Sequence, residues 1–169
     1  RPPRRARAGR PRRARGRLNG ARPLALGRRP TLVFAFPWAG RPGEALPADD
    51  WDAIPGARGC TAEACGFRDV HAELRALGLD VVGLSAQGPD RQSEVVERLG
   101  LPYQLLSDER LELAAAMALP TFAAAGRTLL RRLTMLVRDG MVERVWYPVF
   151  PPDRHAERVL GDLAERAAG

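Results

Sequence analysis

From Thr31 onward the apolar residues switch repeatedly between short unbroken runs and a spacing of three or four. Few architectures accommodate that alternation. Thr31 to Phe36 is a continuous apolar run and reads as a buried strand. Pro37 to Gly59, with its Pro, Gly, Asp and two Trp, reads as a long surface loop, a length uncommon in a compact domain unless it covers a site. Ala64, Phe67, His71, Leu74 and Leu77 then mark the inward stripe of a helix over Thr61 to Leu77, closed by Gly78. Asp80 to Ala86 is a second strand, and Pro89 to Leu99 a helix stopped by Gly100. Tyr103 to Leu106 is a short third strand, followed by a helix from Glu109 to Leu119 that Pro120 ends. Leu133 to Val137 and Met141 to Tyr147, joined by Arg138-Asp139-Gly140, form a β-hairpin. Asp153 is expected to cap a last helix reaching about Ala167, with Ala156, Val159, Leu160 and Leu163 on one face. This order predicts a three-layer α/β sandwich with parallel central strands and an antiparallel edge hairpin.

Charge divides the chain in two. Residues 1–29 hold twelve Arg and no acid, whereas residues 30–169 hold fifteen Arg against twenty acids. The first part carries +12 and the second −5, which together give the net +7. Residues 1–29 therefore form an Arg-rich, largely disordered segment, and residues 30–169 one folded domain. The first 17 residues have no apolar periodicity, and the chain opens on Arg rather than Met, so they read as an extension outside the domain rather than a nucleic-acid tail. A mildly acidic domain is not expected to bind a specific nucleic acid. No run of about 18 apolar residues is present to span a membrane. The stretch Leu32 to Phe36 is too short for the apolar segment of a secretion signal.

Both cysteines, Cys60 and Cys65, lie in Gly59 to Asp69, at the entry to the first helix. At a helix start, unpaired N–H groups and the macrodipole favour thiolate over thiol. A second thiol nearby can trap what the first becomes on oxidation. The alternative for this pair is two buried structural thiols, free Cys being a small hydrophobe. A metal site would need four ligands, and only His71 and His155 could join the thiols; His71 lies on the inward stripe, so no metal or other cofactor is expected. Trp38 and Trp51 read as anchors of the long loop, or as walls of a substrate pocket. The thiol pair suits a cytoplasmic location.

The string Gly59-Cys60-Thr61-Ala62-Glu63-Ala64-Cys65-Gly66-Phe67-Arg68-Asp69 resembles the active-site string Pro-Gly-Cys-Thr-x-Glu-x-Cys-x-Phe-Arg-Asp of the Q-type peroxiredoxins, also called bacterioferritin comigratory proteins. Gly83-Leu84-Ser85 is similar to that family's Gly-Val-Ser. Leu101 to Asp108 is similar to its Leu-Pro-Phe-x-Leu-Leu-Ser-Asp, and Arg132 to Val137 to its Arg-x-Thr-Phe-x-Ile-Asp strand. The resemblance runs from about Thr31 onward and implies a thioredoxin-like three-layer sandwich, a mixed central sheet with helices on both faces. It also implies a thiol-dependent peroxidase acting on hydrogen peroxide or organic hydroperoxides. Cys60 would be the peroxidatic cysteine and Cys65 the intramolecular resolving cysteine, with thioredoxin or a similar reductant recycling their disulfide. Arg132 would stabilise the thiolate and the developing charge on the peroxide, and Glu63 would orient Arg132. A monomer or dimer is implied.

The chain departs from the family in its loop. Most peroxiredoxins carry Pro-x-x-x-Thr/Ser-x-x-Cys; here those positions are Ala53 and Ala57, and no Ser or Thr occurs from Trp38 to Gly59. A branch whose loop opens Pro-Arg-Thr-Gly is matched by Pro37-Trp38-Ala39-Gly40, so the candidate Thr is again Ala. These losses leave a second reading open, a low-turnover redox sensor or binding protein on the same fold.

Overall fold

The computed structural model describes Leu26 and residues 28–169. The Arg-rich segment 1–29 lies outside the described residues except for Leu26, Arg28 and Arg29, and with it the disorder expected there. The elements in chain order are β1 (Thr31–Ala35), α1 (Cys60–Asp69), α2 (His71–Ala76), β2 (Asp80–Ser85), α3 (Pro89–Leu99), β3 (Gln104–Ser107) and α4 (Glu112–Met117). They continue with β4 (Thr121–Ala124), β5 (Arg127–Leu130), β6 (Leu133–Arg138), β7 (Met141–Trp146) and α5 (His155–Ala168). Five strands form one sheet in the order β3-β2-β1-β6-β7, and β4 with β5 form a separate two-stranded ribbon. β1 runs parallel to β2 and antiparallel to β6, so the sheet is mixed.

Along β1 successive side chains alternate between two apolar layers. Leu32 and Phe34 join Phe67, Leu74, Val95, Ala156 and Val159 in a core that α1, α2, α3 and α5 cover. Val33 and Ala35 join Leu84, Ala114, Leu130 and Met135 on the other face, under α4 and β5. Helices on both faces of a mixed sheet make the thioredoxin-like three-layer sandwich. Phe34 anchors the larger layer, stacked on Phe67 with centroids 4.7 Å apart and edge-on to Tyr103 at 5.7 Å. Gly83 on β2 makes this possible, because a Cβ there would overlap Leu105 and press on the Phe34 ring.

Four local expectations need correction. The helix expected over Thr61 to Leu77 divides at Val70 into α1 and α2, and Leu77 is exposed. The helix expected from Glu109 starts at Glu112, because the buried Asp108 carboxylate accepts the N–H groups of Leu113 (3.0 Å) and Ala114 (2.8 Å). Asp153 does not cap α5; a 3-10 turn over Pro152–Arg154 leads into the helix instead. The β4–β5 ribbon was not foreseen, and its strands of four residues each are too short to carry a readable period.

Candidate active site

Cys60 is the first residue of α1, and Gly59 before it has φ 95°. Only glycine takes that conformation without strain. Gly59 also lies against the Pro152 ring, which a Cβ would overlap. The 3-10 turn that leads into α5 thus roofs the start of α1. Cys60 is 4 % exposed.

Three groups surround its sulfur. Arg132 Nη2 donates to Sγ at 3.1 Å, the Trp38 N–H donates at 3.5 Å, and the thiol faces the Ala57 carbonyl at 3.6 Å. Arg132 arrives through strand register. Ala35 pairs with Leu133, so the residue before Leu133 falls at the end of β1, beside the loop that begins at Phe36. Its guanidinium is nearly sealed from solvent and is shared out: Nη1 to the buried Glu63 carboxylate, Nη2 to the carbonyls of Gly56 (3.2 Å) and Arg58 (2.9 Å). Glu63 Oε1 and Arg132 Nε stay buried without a partner among the described residues. The structure therefore brings Cys60, Glu63 and Arg132 together. Cys65 lies on the same helix, half-buried, and both thiols are free.

The electrostatics differ from the expectation of a thiolate favoured by the helix start. Burial pushes the Cys60 thiol above its ordinary value; the Arg132 charge and the Trp38 N–H oppose it, and the Glu63 charge adds to it. Burial also pushes the Glu63 carboxyl up to about 7, against the pull of Arg132. Burial therefore works against the thiolate that Arg132 and the Trp38 N–H favour.

The surrounding loop shows what stands where a hydroxyl was missed. Ala57 is buried in a small cluster with Trp51, Ala124 and Leu129, and the Trp51 ring lies 6.1 Å from Phe122. Trp51 is thus an anchor of the loop. Ala39 is tied at both ends to Gln87, donating to Oε1 at 2.8 Å and accepting from Nε2 at 3.0 Å. Trp38 is half-buried, with Arg127 stacked 5.3 Å from its ring, and it walls a cavity of about 560 Å³ with Gln87, Arg91 and Glu109. The two histidines are engaged elsewhere: His155 Nε2 lies 2.8 Å from Thr134 Oγ1, and His71 lies against Tyr103. Sequence reasoning missed the Trp38 N–H, the Pro152 roof and Gln87. Each acts through backbone position or tertiary contact, which no motif records.

A sealed thiol opening a helix, with a guanidinium on its sulfur, on a thioredoxin-like sandwich, defines a thiol-centred redox class. The AhpC/TSA family profile matches residues 53–145. Peroxiredoxin Bcp of Escherichia coli K12 is 34% identical over 113 residues, covering 64% of this chain and 72% of that protein. The chloroplastic peroxiredoxin Q of Gentiana triflora is 33% identical over 103 residues, covering 60% of this chain and 46% of the relative. In the plant relatives of Gentiana, Populus and Suaeda the match spans about half their length. Among solved structures, peroxidoxin BcpB of Mycobacterium tuberculosis superposes with a TM-score of 0.62 at 28% identity, covering 80% of this chain and 79% of that one. The chain belongs to the AhpC/TSA family, on its Q-type peroxiredoxin branch.

The relatives also correct the expected cytoplasmic location. Four of the relatives are named as chloroplastic, so a cytoplasmic location does not follow from belonging with them. A close thiol pair needs a reductant and marks no one compartment.

Proposed function

We propose that this protein is a thiol-dependent peroxidase that reduces hydrogen peroxide or organic hydroperoxides. The observation that carries the reading is the Arg132 guanidinium 3.1 Å from the Cys60 sulfur in a sealed pocket at a helix start. Cys60 Sγ attacks the terminal peroxide oxygen, the O–O bond breaks, and the thiol proton leaves with the alcohol or water. Both electrons come from sulfur, so no cofactor is needed. Arg132 and the Trp38 N–H are the donors that meet the charge developing on the peroxide. Glu63 fixes the guanidinium plane. Cys65 then attacks the Cys60 sulfenic acid; a disulfide forms and the hydroxyl leaves as water. A thioredoxin-like dithiol returns both cysteines to thiols.

Cys60 and Cys65 are five residues apart in one regular helix, about 7.5 Å of rise and roughly 140° of rotation. Their Cα atoms lie beyond the ~7 Å reach of a disulfide, so α1 must unwind locally in each cycle. A peroxide-consumption assay coupled to a thioredoxin system tests the proposal. Wild type should turn over, and Cys60→Ser should not; wild-type turnover in Cys60→Ser would end the assignment. The absence of a hydroxyl at Ala57 favours one second reading, a redox sensor. It predicts a single oxidation of Cys60 without repeated turnover in that assay.

A further inference from the structure

Unwinding α1 requires its peptide groups to leave their partners, and one of them is held from outside the helix. The Tyr103 hydroxyl donates to the Ala64 carbonyl at 2.5 Å. That carbonyl belongs to the peptide bond that carries Cys65. Among the described residues, no other side chain hydrogen-bonds the backbone between Cys60 and Cys65. Tyr103 lies outside α1, just before β3. Its ring is 6 % exposed, edge-on to Phe34 at 5.7 Å and 5.9 Å from His71. Among the described residues it makes no hydrogen bond to Cys60.

We infer that Tyr103 is a latch on the resolving-cysteine peptide, a positioning residue that divides the Cys60 sulfenic acid between disulfide and over-oxidation. The inference rests on the peroxidase reading. When α1 unwinds, Ala64 loses its second hydrogen bond and the phenol is left in an apolar pocket without a partner. Both losses raise the barrier to bringing Cys65 to Cys60. During the delay a second hydroperoxide can transfer an oxygen to the sulfenic acid, giving a sulfinic acid and one alcohol or water, in competition with disulfide formation. The string resembled at Leu101 to Asp108 carries Phe where this chain has Tyr103, so the hydroxyl is an addition to an otherwise apolar site.

Tyr103→Phe keeps the ring packing and leaves the Ala64 carbonyl its bond within the helix. Stopped-flow mixing with hydrogen peroxide, read by tryptophan fluorescence and by mass, should show an unchanged first oxidation. Disulfide formation should be about fivefold faster, as expected for one net hydrogen bond. The peroxide dose that leaves half of Cys60 as sulfinic acid should rise by the same factor. Leu163→Ala, a destabilising change in α5, should leave that partition where it is in wild type. An unchanged partition in Tyr103→Phe, or an equal change in Leu163→Ala, would overturn the latch. Diamide makes the same disulfide without peroxide and should show the same acceleration. Failure of peroxide oxidation alone would therefore count against the peroxidase and not the latch. If Tyr103→Phe does not fold, Tyr147→Phe leaves Tyr103 as the single tyrosine, and its near-ultraviolet absorption should shift when the disulfide forms. A silent spectrum would equally refute the latch.

Discussion

Replacing His155 with Gln should make the protein more stable relative to the wild type on acidification. His155 is 2 % exposed and hydrogen-bonded to Thr134. Burial, then the charges of Arg158 and Arg132, holds its pKa down at about 4, against an ordinary 6.5. The unfolded chain therefore binds the proton first. Stability from the neutral ring is complete above pH 6.5 and is lost as the pH falls through 4. That interval is worth about 3 kcal/mol. Glu63 works the other way. Its carboxyl is pushed from 4.5 to about 7, so the folded state binds the proton first. That contribution is complete below pH 4.5 and is lost as the pH rises through 7, again about 3 kcal/mol. In wild type the two oppose each other between pH 4.5 and 6.5. Gln can still pair with Thr134 but binds no proton, so only the His155 part of the pH dependence is removed. Urea unfolding of the reduced protein at pH 7.5 and pH 4, followed by tryptophan fluorescence, gives both curves. The difference between variant and wild type should shift by about 3 kcal/mol in favour of the variant at pH 4. An equal difference at both pH values would refute the argument.

Arg132→Met should push the Cys60 thiol further up and slow its alkylation by iodoacetamide at neutral pH. By orphaning Glu63 it should also cost about 3 kcal/mol of stability. Unchanged alkylation across pH would contradict the role given to the guanidinium. Ala57→Thr should raise peroxide turnover, because residue 57 already stands beside the sulfur, at a cost of about 1–3 kcal/mol from overpacking its cluster with Trp51, Ala124 and Leu129. Ala39→Thr should give no gain and cost about 1–3 kcal/mol by overpacking, since both its backbone groups are tied to Gln87; steady-state rates separate the two. Gly59→Ala should destabilise by about 2–4 kcal/mol through strain and overlap with Pro152. Adding Pro152→Ala should recover only the overlap part in a thermal melt. Amide exchange should show that disulfide formation removes protection from Cys60 to Phe67 and nowhere else; equal protection in both redox states would rule out local unwinding.

The central sheet was legible because buried strands such as Thr31–Ala35 and Leu133–Val137 are almost wholly apolar, with Thr31 and Thr134 as their only polar residues, and turn residues punctuate them. The ribbon of Thr121–Ala124 and Arg127–Leu130 was not, because each strand is only four residues long. Capping failed for a similar reason. Asp153 has the right chemistry for an N-cap, but the 3-10 turn that roofs Gly59 occupies that place. Within the site, Cys60, Cys65, Glu63 and Arg132 could be named from residue type; Trp38, Pro152 and Gln87, which act by position, could not. The burial that opposes a Cys60 thiolate could not be read, because a sequence displays a helix start but not the depth at which it lies.

The sulfur of Cys60 meets its guanidinium across 72 positions of chain. At ribosomal rates of 5–20 residues per second, those positions take roughly 4–14 s to make. Until Arg132 emerges and β6 pairs with β1, a nascent Cys60 is an ordinary exposed thiol, open to any oxidant in the compartment and without the electrostatics of the finished site. The long separation that builds the pocket also sets an interval in every molecule's synthesis when this sulfur is unguarded.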